Sequence, residues 1–423
     1  MQQLPESLKH HRVHATDTSA TLIGEVRYAP LKSLWFTTMA LGALVGGALD
    51  FTWAAFIVFL ATTGTVLLFG HSLGSHRKLI HDSYQCPKWL EYVLVWFGVQ
   101  VGLAGPLGLL RQHELRDYAQ RLPDCHDYLR HGRSFWRDAW WQLHCELRLA
   151  HPPTLHVEPR IANDRFYRFL ERTWMAQQLP VALVLYALGG WGFVFWGTCA
   201  RVTAGVLGHW LIGWFAHNRG AMHYEVRGAA VQGRNIPFTS LLTMGESWHN
   251  NHHAFPGSAR LGLFAGEWDP GWWVLMVLRA SGLVWGIRLP SALPLRAELR
   301  ACDASGVAEL LRHCSGTPTP RRHIGLRDAM RCCWRRRVPC ELEGPAATLS
   351  VSTLRRLTGP AVPFRLMPEA RRISVTIDEH RLQGLPAVCV ALCRRSGWGW
   401  LIGLCVTPLA VAIENMRETL DVA

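Results

Sequence analysis

Charge is missing from two long stretches of this 423-residue chain. Residues 33–71, SLWFTTMALGALVGGALDFTWAAFIVFLATTGTVLLFGH, hold one ionisable side chain, Asp50, before His71. Residues 177–217 carry a single interior charge, Arg201, beyond a GGWGF turn. A membrane span takes about 20 apolar residues, so each stretch is long enough for a helical hairpin. A soluble helical core would not need two such hairpins. The expectation is four membrane helices, at about 33–49, 52–71, 177–197 and 200–217.

Lysine is scarce as well. Arginine supplies nearly all of the 44 basic side chains behind the net charge of +13. Both hairpin turns lack Lys and Arg, whereas the N-terminus, the 72–176 stretch and the C-terminal third are rich in them. By the positive-inside rule, those segments and both termini are expected in the cytoplasm. The basic residues form no aromatic-interleaved module. That argues against nucleic acid and for an anionic bilayer surface as the partner of the charge.

C-x-x-C pairs are absent among the 12 cysteines, as expected of reduced thiols in cytoplasmic segments. Residues 1–30 lack the apolar core of a secretory signal, so no cleavage is expected. Residues 88–110 and 268–289 are apolar but interrupted by glycine, Pro106 or arginine, which suits helices lying in the interface. Residues 398–413 are short for a span. Residues 291–423 form a basic extension without sustained periodicity, and the sequence assigns it no function.

Histidine is what the chain has instead. HSLGSH gives His71 and His76, GHWLIGWFAH gives His209 and His217, and GESWHNNHHAFPGSAR gives His249, His252 and His253. Positions i, i+3 and i+4 of a helix share a face, so the last three imidazoles can converge. Imidazoles gathered at one membrane face are costly when charged and hard to satisfy when neutral. Metal coordination removes both problems, because neutral imidazole is a good ligand. More than six histidines without a thiolate suit two metal ions, and open imidazole-rich sites favour iron that activates oxygen. Zinc and copper stay open on ligand type alone.

These residues carry a family likeness. The chain resembles the membrane-bound fatty acid desaturases, specifically the acyl-CoA (stearoyl-CoA type) enzymes. His71 and His76 match the family's H-x(4)-H box, followed by Arg77 and the later His81. His249, His252 and His253, preceded by Gly245-Glu246, match an H-x-x-H-H box. His217 stands where the family has a further ligand on its fourth span. The middle box departs: HELRD places His113, Arg116 and Asp117 where H-x-x-H-H is expected, and Gly213 replaces a family asparagine. Asp117 is expected as a carboxylate ligand, with His126, His131 and His144 as substitutes from the same insert. Arg116 stays protonated and cannot coordinate.

The resemblance covers about residues 30–290 and implies an all-α membrane protein. Four transmembrane helices in two hairpins carry a helical cytoplasmic cap with a histidine-rich di-metal site. Residues 1–30 are then a cytoplasmic segment and 31–290 the membrane domain. The implied ligands are His71, His76, His113, Asp117, His217, His249, His252 and His253, holding two Fe2+ ions with dioxygen as co-substrate. Trp210 and Trp214 are candidates to line a tunnel for the acyl chain of a fatty acyl-CoA or another acyl carrier. Electrons would come from a ferredoxin, a rubredoxin or a b-type cytochrome at the cytoplasmic face. The implied reaction is insertion of a double bond. Hydroxylation begins with the same hydrogen abstraction, and HELRD keeps a non-catalytic metal-binding protein as the alternative.

Overall fold

The computed structural model describes residues 12–314 and, beyond them, 329–330, 333, 341–344, 364–366, 374–377, 380–393, 402–411 and 413. The fold is mostly helical. Helix α1 (residues 30–49) begins on Pro30, whose fixed φ suits a first turn, and stops at Asp50. Thr52 Oγ1 then accepts the Ala55 N–H at 3.0 Å and caps α2 (Trp53–Ile80). After α2 come α3 (Lys88–Gln100), α4 (Pro106–Arg121), α5 (Phe135–His144) and α6 (Arg165–Thr173). The apolar 88–110 stretch is therefore two helices rather than one, parted before Pro106. Helix α7 (Gln178–Asn218) is broken at Gly189 and Gly190. Gly190 has a φ of 66°, a left-handed value that glycine adopts without a Cβ penalty, and this is the turn within GGWGF.

Helices α2 and α7 are long and apolar enough to cross a bilayer. Their outward faces are apolar too: Ile57 and Leu60 on α2 and Leu183 and Leu188 on α7 are exposed, as are Leu44 and Leu49 on α1. Water would penalise such a continuous apolar surface, whereas lipid solvates it. The chain is an integral membrane protein with at least two apolar helices.

The cap end of α2 is fixed by close backbone packing on α3. A Cβ at Gly70 would strike the Phe97 backbone, one at Gly74 the Leu94 backbone, and one at Gly98 the Ser75 hydroxyl. Below this seam lies a core that includes Leu79, Val99, Leu110, Tyr167 and Leu170, tying α2, α3, α4 and α6 together.

The fold is not all-helical as expected. Strand β1 (Ala20–Tyr28) pairs antiparallel with β2 (Cys145–His151), placing Tyr28 opposite Cys145. Thr21, Ile23 and Val26 give this stretch the β-branched content that a pleated ribbon favours. Tyr224–Val226 and Leu299–Ala301 form a second antiparallel pair. The described residues up to 272, with 286–314, make one compact unit. Residues 273–285 and the described residues beyond 318 make another. Within that second unit a four-stranded sheet runs His380–Gln383, Ser374–Ile377, Glu341–Gly344, Phe364–Leu366. Only its last pair is parallel.

Candidate metal centre

The last stretch of α2, Val66–Ile80, is wound as a π-helix, in which backbone bonds close over five residues. That winding makes residues five apart neighbours. The His81 N–H donates to the His76 carbonyl at 3.1 Å, and the two rings lie 4.8 Å apart. His113 reaches the same place from α4, and His252 from a short helix, α8 (His249–Ala254). One ring nitrogen from each of His76, His81, His113 and His252 lies within 4.8 Å of the others. A second group joins His217, at the end of α7, to His249 and His253 on α8. There the His249 Nε2 lies 3.1 Å from His217 Nε2 and 3.0 Å from His253 Nε2.

Neighbouring groups set the orientation of these rings. His217 donates its Nδ1–H to the Gly213 carbonyl at 2.7 Å, which leaves the lone pair on Nε2. Glu246 places Oε2 2.6 Å from His76 Nδ1, while the Ser72 hydroxyl donates to its other oxygen at 2.6 Å. Burial pushes the Glu246 carboxyl up. The pull of His76 and Arg77 outweighs burial and holds it well below the usual carboxylate range. Burial lowers His113 and His253 to about 4 and takes His249 and His252 well below the ordinary imidazole value. These rings are neutral at physiological pH. Both ring nitrogens of His252 are buried without a hydrogen-bond partner. Neutral imidazole nitrogens gathered within 4.8 Å of one another fit a cation, and each group can hold one.

Not every expected ligand falls inside these groups. His76, His113, His217, His249, His252 and His253 do. His71 lies outside both, its ring 5.4 Å from that of His209 and 6.4 Å from that of His76. Asp117 has Oδ2 3.6 Å from His113 Nδ1, and its charge acts on His249 and His253 as well. Of the substitutes, His126 caps a turn by accepting the Tyr128 N–H, and His144 pairs with the Ser33 hydroxyl at 2.8 Å. His131 comes closest to the centre, stacked 5.5 Å from His217. Trp210 donates to Asp138 at 2.8 Å, and Trp214 packs edge-on against Phe135. Sequence reasoning left His81 out of the ligand set. Its signal was there, since HRKLIH is a second H-x(4)-H in register with His76.

A small cavity of roughly 90 Å³ is bordered by His76, His113, Asp117, His217 and His249, so members of both groups face one space. An apolar cavity of about 540 Å³ lies between α2 and α7, bordered by Leu60, Leu67, Gly208 and Ile212 among others. A third, of about 720 Å³, runs from Lys32, Arg111 and Arg148 to Arg116 and Trp210. His209 borders all three.

A profile of the fatty acid desaturase family matches residues 51–263. The sn-1 stearoyl-lipid 9-desaturase of Anabaena variabilis is 34% identical over 265 residues, 61% of this chain and 93% of its own length. The sn-2 palmitoyl-lipid 9-desaturase of Nostoc sp. (strain 36) is 34% identical over 237 residues, 55% of this chain and 81% of its own. An acyl-CoA 5-desaturase of Anemone leveillei is 30% identical over 243 residues, 57% of this chain and 74% of its own.

Proposed function

This chain belongs to the fatty acid desaturase family, and we propose that it introduces a double bond into a fatty acyl chain with two iron ions and dioxygen. The observation that carries the reading is the shared 90 Å³ cavity, which both histidine groups border and which meets the apolar cavity at His209. Bound iron would supply the strong oxidant that an unactivated methylene requires and that side chains cannot provide. The balance is one dioxygen, two electrons and two protons in, and one alkene and two waters out.

The protein's share of the work is placement. His76, His81, His113 and His252 would hold one ion, and His217, His249, His253 and Asp117 the other. Leu60, Leu67 and Ile212 give the acyl chain a dry wall, which excludes water and holds the reacting carbons still. Lys32, Arg111 and Arg148 border the wider cavity and suit an anionic head group, whether the acyl chain arrives as acyl-CoA or as a lipid ester. Both termini and the site face the cytoplasm, where a ferredoxin, a rubredoxin or a b-type cytochrome delivers the electrons. The breaks at Asp50 and at Gly189–Gly190 support a reading of four spans in two hairpins.

The test is gas chromatography of lipid acyl chains from cells with and without the gene, together with metal analysis of the purified protein. New unsaturated chains and bound iron are the expected result. Hydroxylated chains would make it a hydroxylase on the same scaffold. Unchanged chains would point to the non-catalytic alternative raised by HELRD.

A further inference from the structure

Arg116 stands where the family's middle box has a second histidine, and the structure shows what holds it. Its Nη1 donates to His131 Nε2 at 2.7 Å, and its Nη2 to Gln142 Oε1 at 2.9 Å. His131 is fixed in turn. Its Nδ1–H donates to Asp138 Oδ2 at 2.9 Å, and the same oxygen accepts the Trp210 indole N–H at 2.8 Å. A carboxylate on Nδ1 forces the lone pair onto Nε2, so His131 accepts from Arg116 and leaves its charge intact.

The room for this arrangement comes from the other departure. A Cβ at Gly213 would lie 3.0 Å from His131 Nε2, so the glycine that replaces the family asparagine makes space for the imidazole. Both substitutions therefore belong to one construction: Asp138, His131 and Arg116 in a line, ending at the cavity that His113, His217 and His249 border.

That line ends in a half-buried cation with a donor to spare. Arg116 makes no ion pair among the described residues, and its Nε is buried with no hydrogen-bond partner. The Asp138 and Asp117 carboxylates act on it without direct contact. A guanidinium N–H left without an acceptor at a cavity wall is costly, and the cost is recovered when an anion binds beside it.

We propose that Arg116, pinned by His131, completes a subsite for a small monoanion held between its guanidinium and the metal of the His217–His249–His253 group. The subsite rests on the di-metal reading above. It adds a fixed hydrogen-bond donor and a positive charge to that reading, where the family pattern has only imidazole. His131 is the positioning residue.

The test uses the full-length protein in detergent, loaded with cobalt(II), and follows the visible absorption bands during titration with sodium azide. Wild type is expected to bind azide, and Arg116→Gln to bind it about ten- to a hundredfold more weakly at unchanged metal content, the range for one charge-assisted hydrogen bond. Arg116→Lys, which keeps the charge and loses the fork, should fall between them. Should Arg116→Gln fail to fold, His131→Phe keeps the guanidinium but frees it, and azide affinity should drop several-fold. Equal azide affinity in wild type and a metal-loaded variant overturns the subsite alone, as does a metal-loaded wild type that binds no azide. A wild-type protein that takes up no metal overturns the di-metal reading and the subsite with it.

Discussion

Glu246 Oε2 lies 2.6 Å from Nδ1 of His76, so a carboxylate is set against the ring of a candidate metal ligand. A carboxylate at Nδ1 holds that proton, turns the ring and makes Nε2 the better donor to a metal. Glu246→Gln should keep the shape and lose the charge. Metal affinity, measured by chelator competition, is expected to fall by about ten- to a hundredfold. Undiminished affinity would mean that Glu246 serves only the Ser72 hydrogen bond.

The two histidine groups predict separable losses of metal. Asp117→Ala should remove about one of about two ions, because three imidazoles alone leave the second group short of a closed shell. His81→Ala should weaken the first group instead, while His71→Ala should leave metal content unchanged, since His71 lies outside both groups. Metal content per chain in the three variants is the measurement. Loss of metal from His71→Ala at intact fold would return that residue to the ligand set.

The metal-free protein should be labile to acid. His113 and His253 sit at about 4 when folded against an ordinary 6.5, so between those values the unfolded chain binds more protons. Stability is therefore lost as pH falls from about 6.5 towards about 4, by roughly 1.4 kcal/mol per pH unit for each such ring. Thermal unfolding followed by tryptophan fluorescence at pH 7, 6 and 5 reads this directly. Bound metal keeps the rings deprotonated and should move the loss to lower pH. A metal-free midpoint that does not change over this range would contradict the burial of these rings.

Gly208 borders the apolar cavity, and a Cβ there meets nothing within 4 Å. Gly208→Phe should fill that space without disturbing the helix. Desaturation is expected to shift towards shorter acyl chains, with long-chain activity down about tenfold or more, as for a ligand excluded from its pocket. Chromatography of products from mixed chain lengths would show it, and an unchanged length profile would place the chain end elsewhere.

Gly74 tests the seam between α2 and α3. A methyl group there meets backbone, which cannot swing aside as a side chain does. Gly74→Ala should destabilise by about 1–3 kcal/mol and lower metal retention, because the seam carries His76 and His81. Gly64→Ala on the same helix meets open space and is the control.

Much of this was legible in the sequence, and the rest fails for definable reasons. The breaks at Asp50 and Gly189–Gly190 were readable because charge and glycine interrupt otherwise apolar runs. His249, His252 and His253 were readable because i, i+3, i+4 is a helical face. His76 belongs to two H-x(4)-H patterns, with His71 before it and His81 after it, and spacing alone does not choose between them. The π-winding and the packing around α4 and α8 bring His81, rather than His71, within ligand reach of His76, His113 and His252. His131 was one of three candidates in its insert, with no local signal to set it apart from His126 and His144. Its place depends on the missing side chain at Gly213, 82 residues away in sequence. The ribbon of β1 and β2 was passed over because the apolar runs on either side of it dominated the reading.

Helix α2 is both a lipid-embedded rod and the mount for two of the imidazoles. Its glycine seam with α3 leaves no slack between those roles. A rod of fixed hydrophobic length answers a thicker or thinner bilayer by leaning, and its final turns lean with it. His76 and His81, at its cytoplasm-expected end, therefore share the inclination of the rod that carries them.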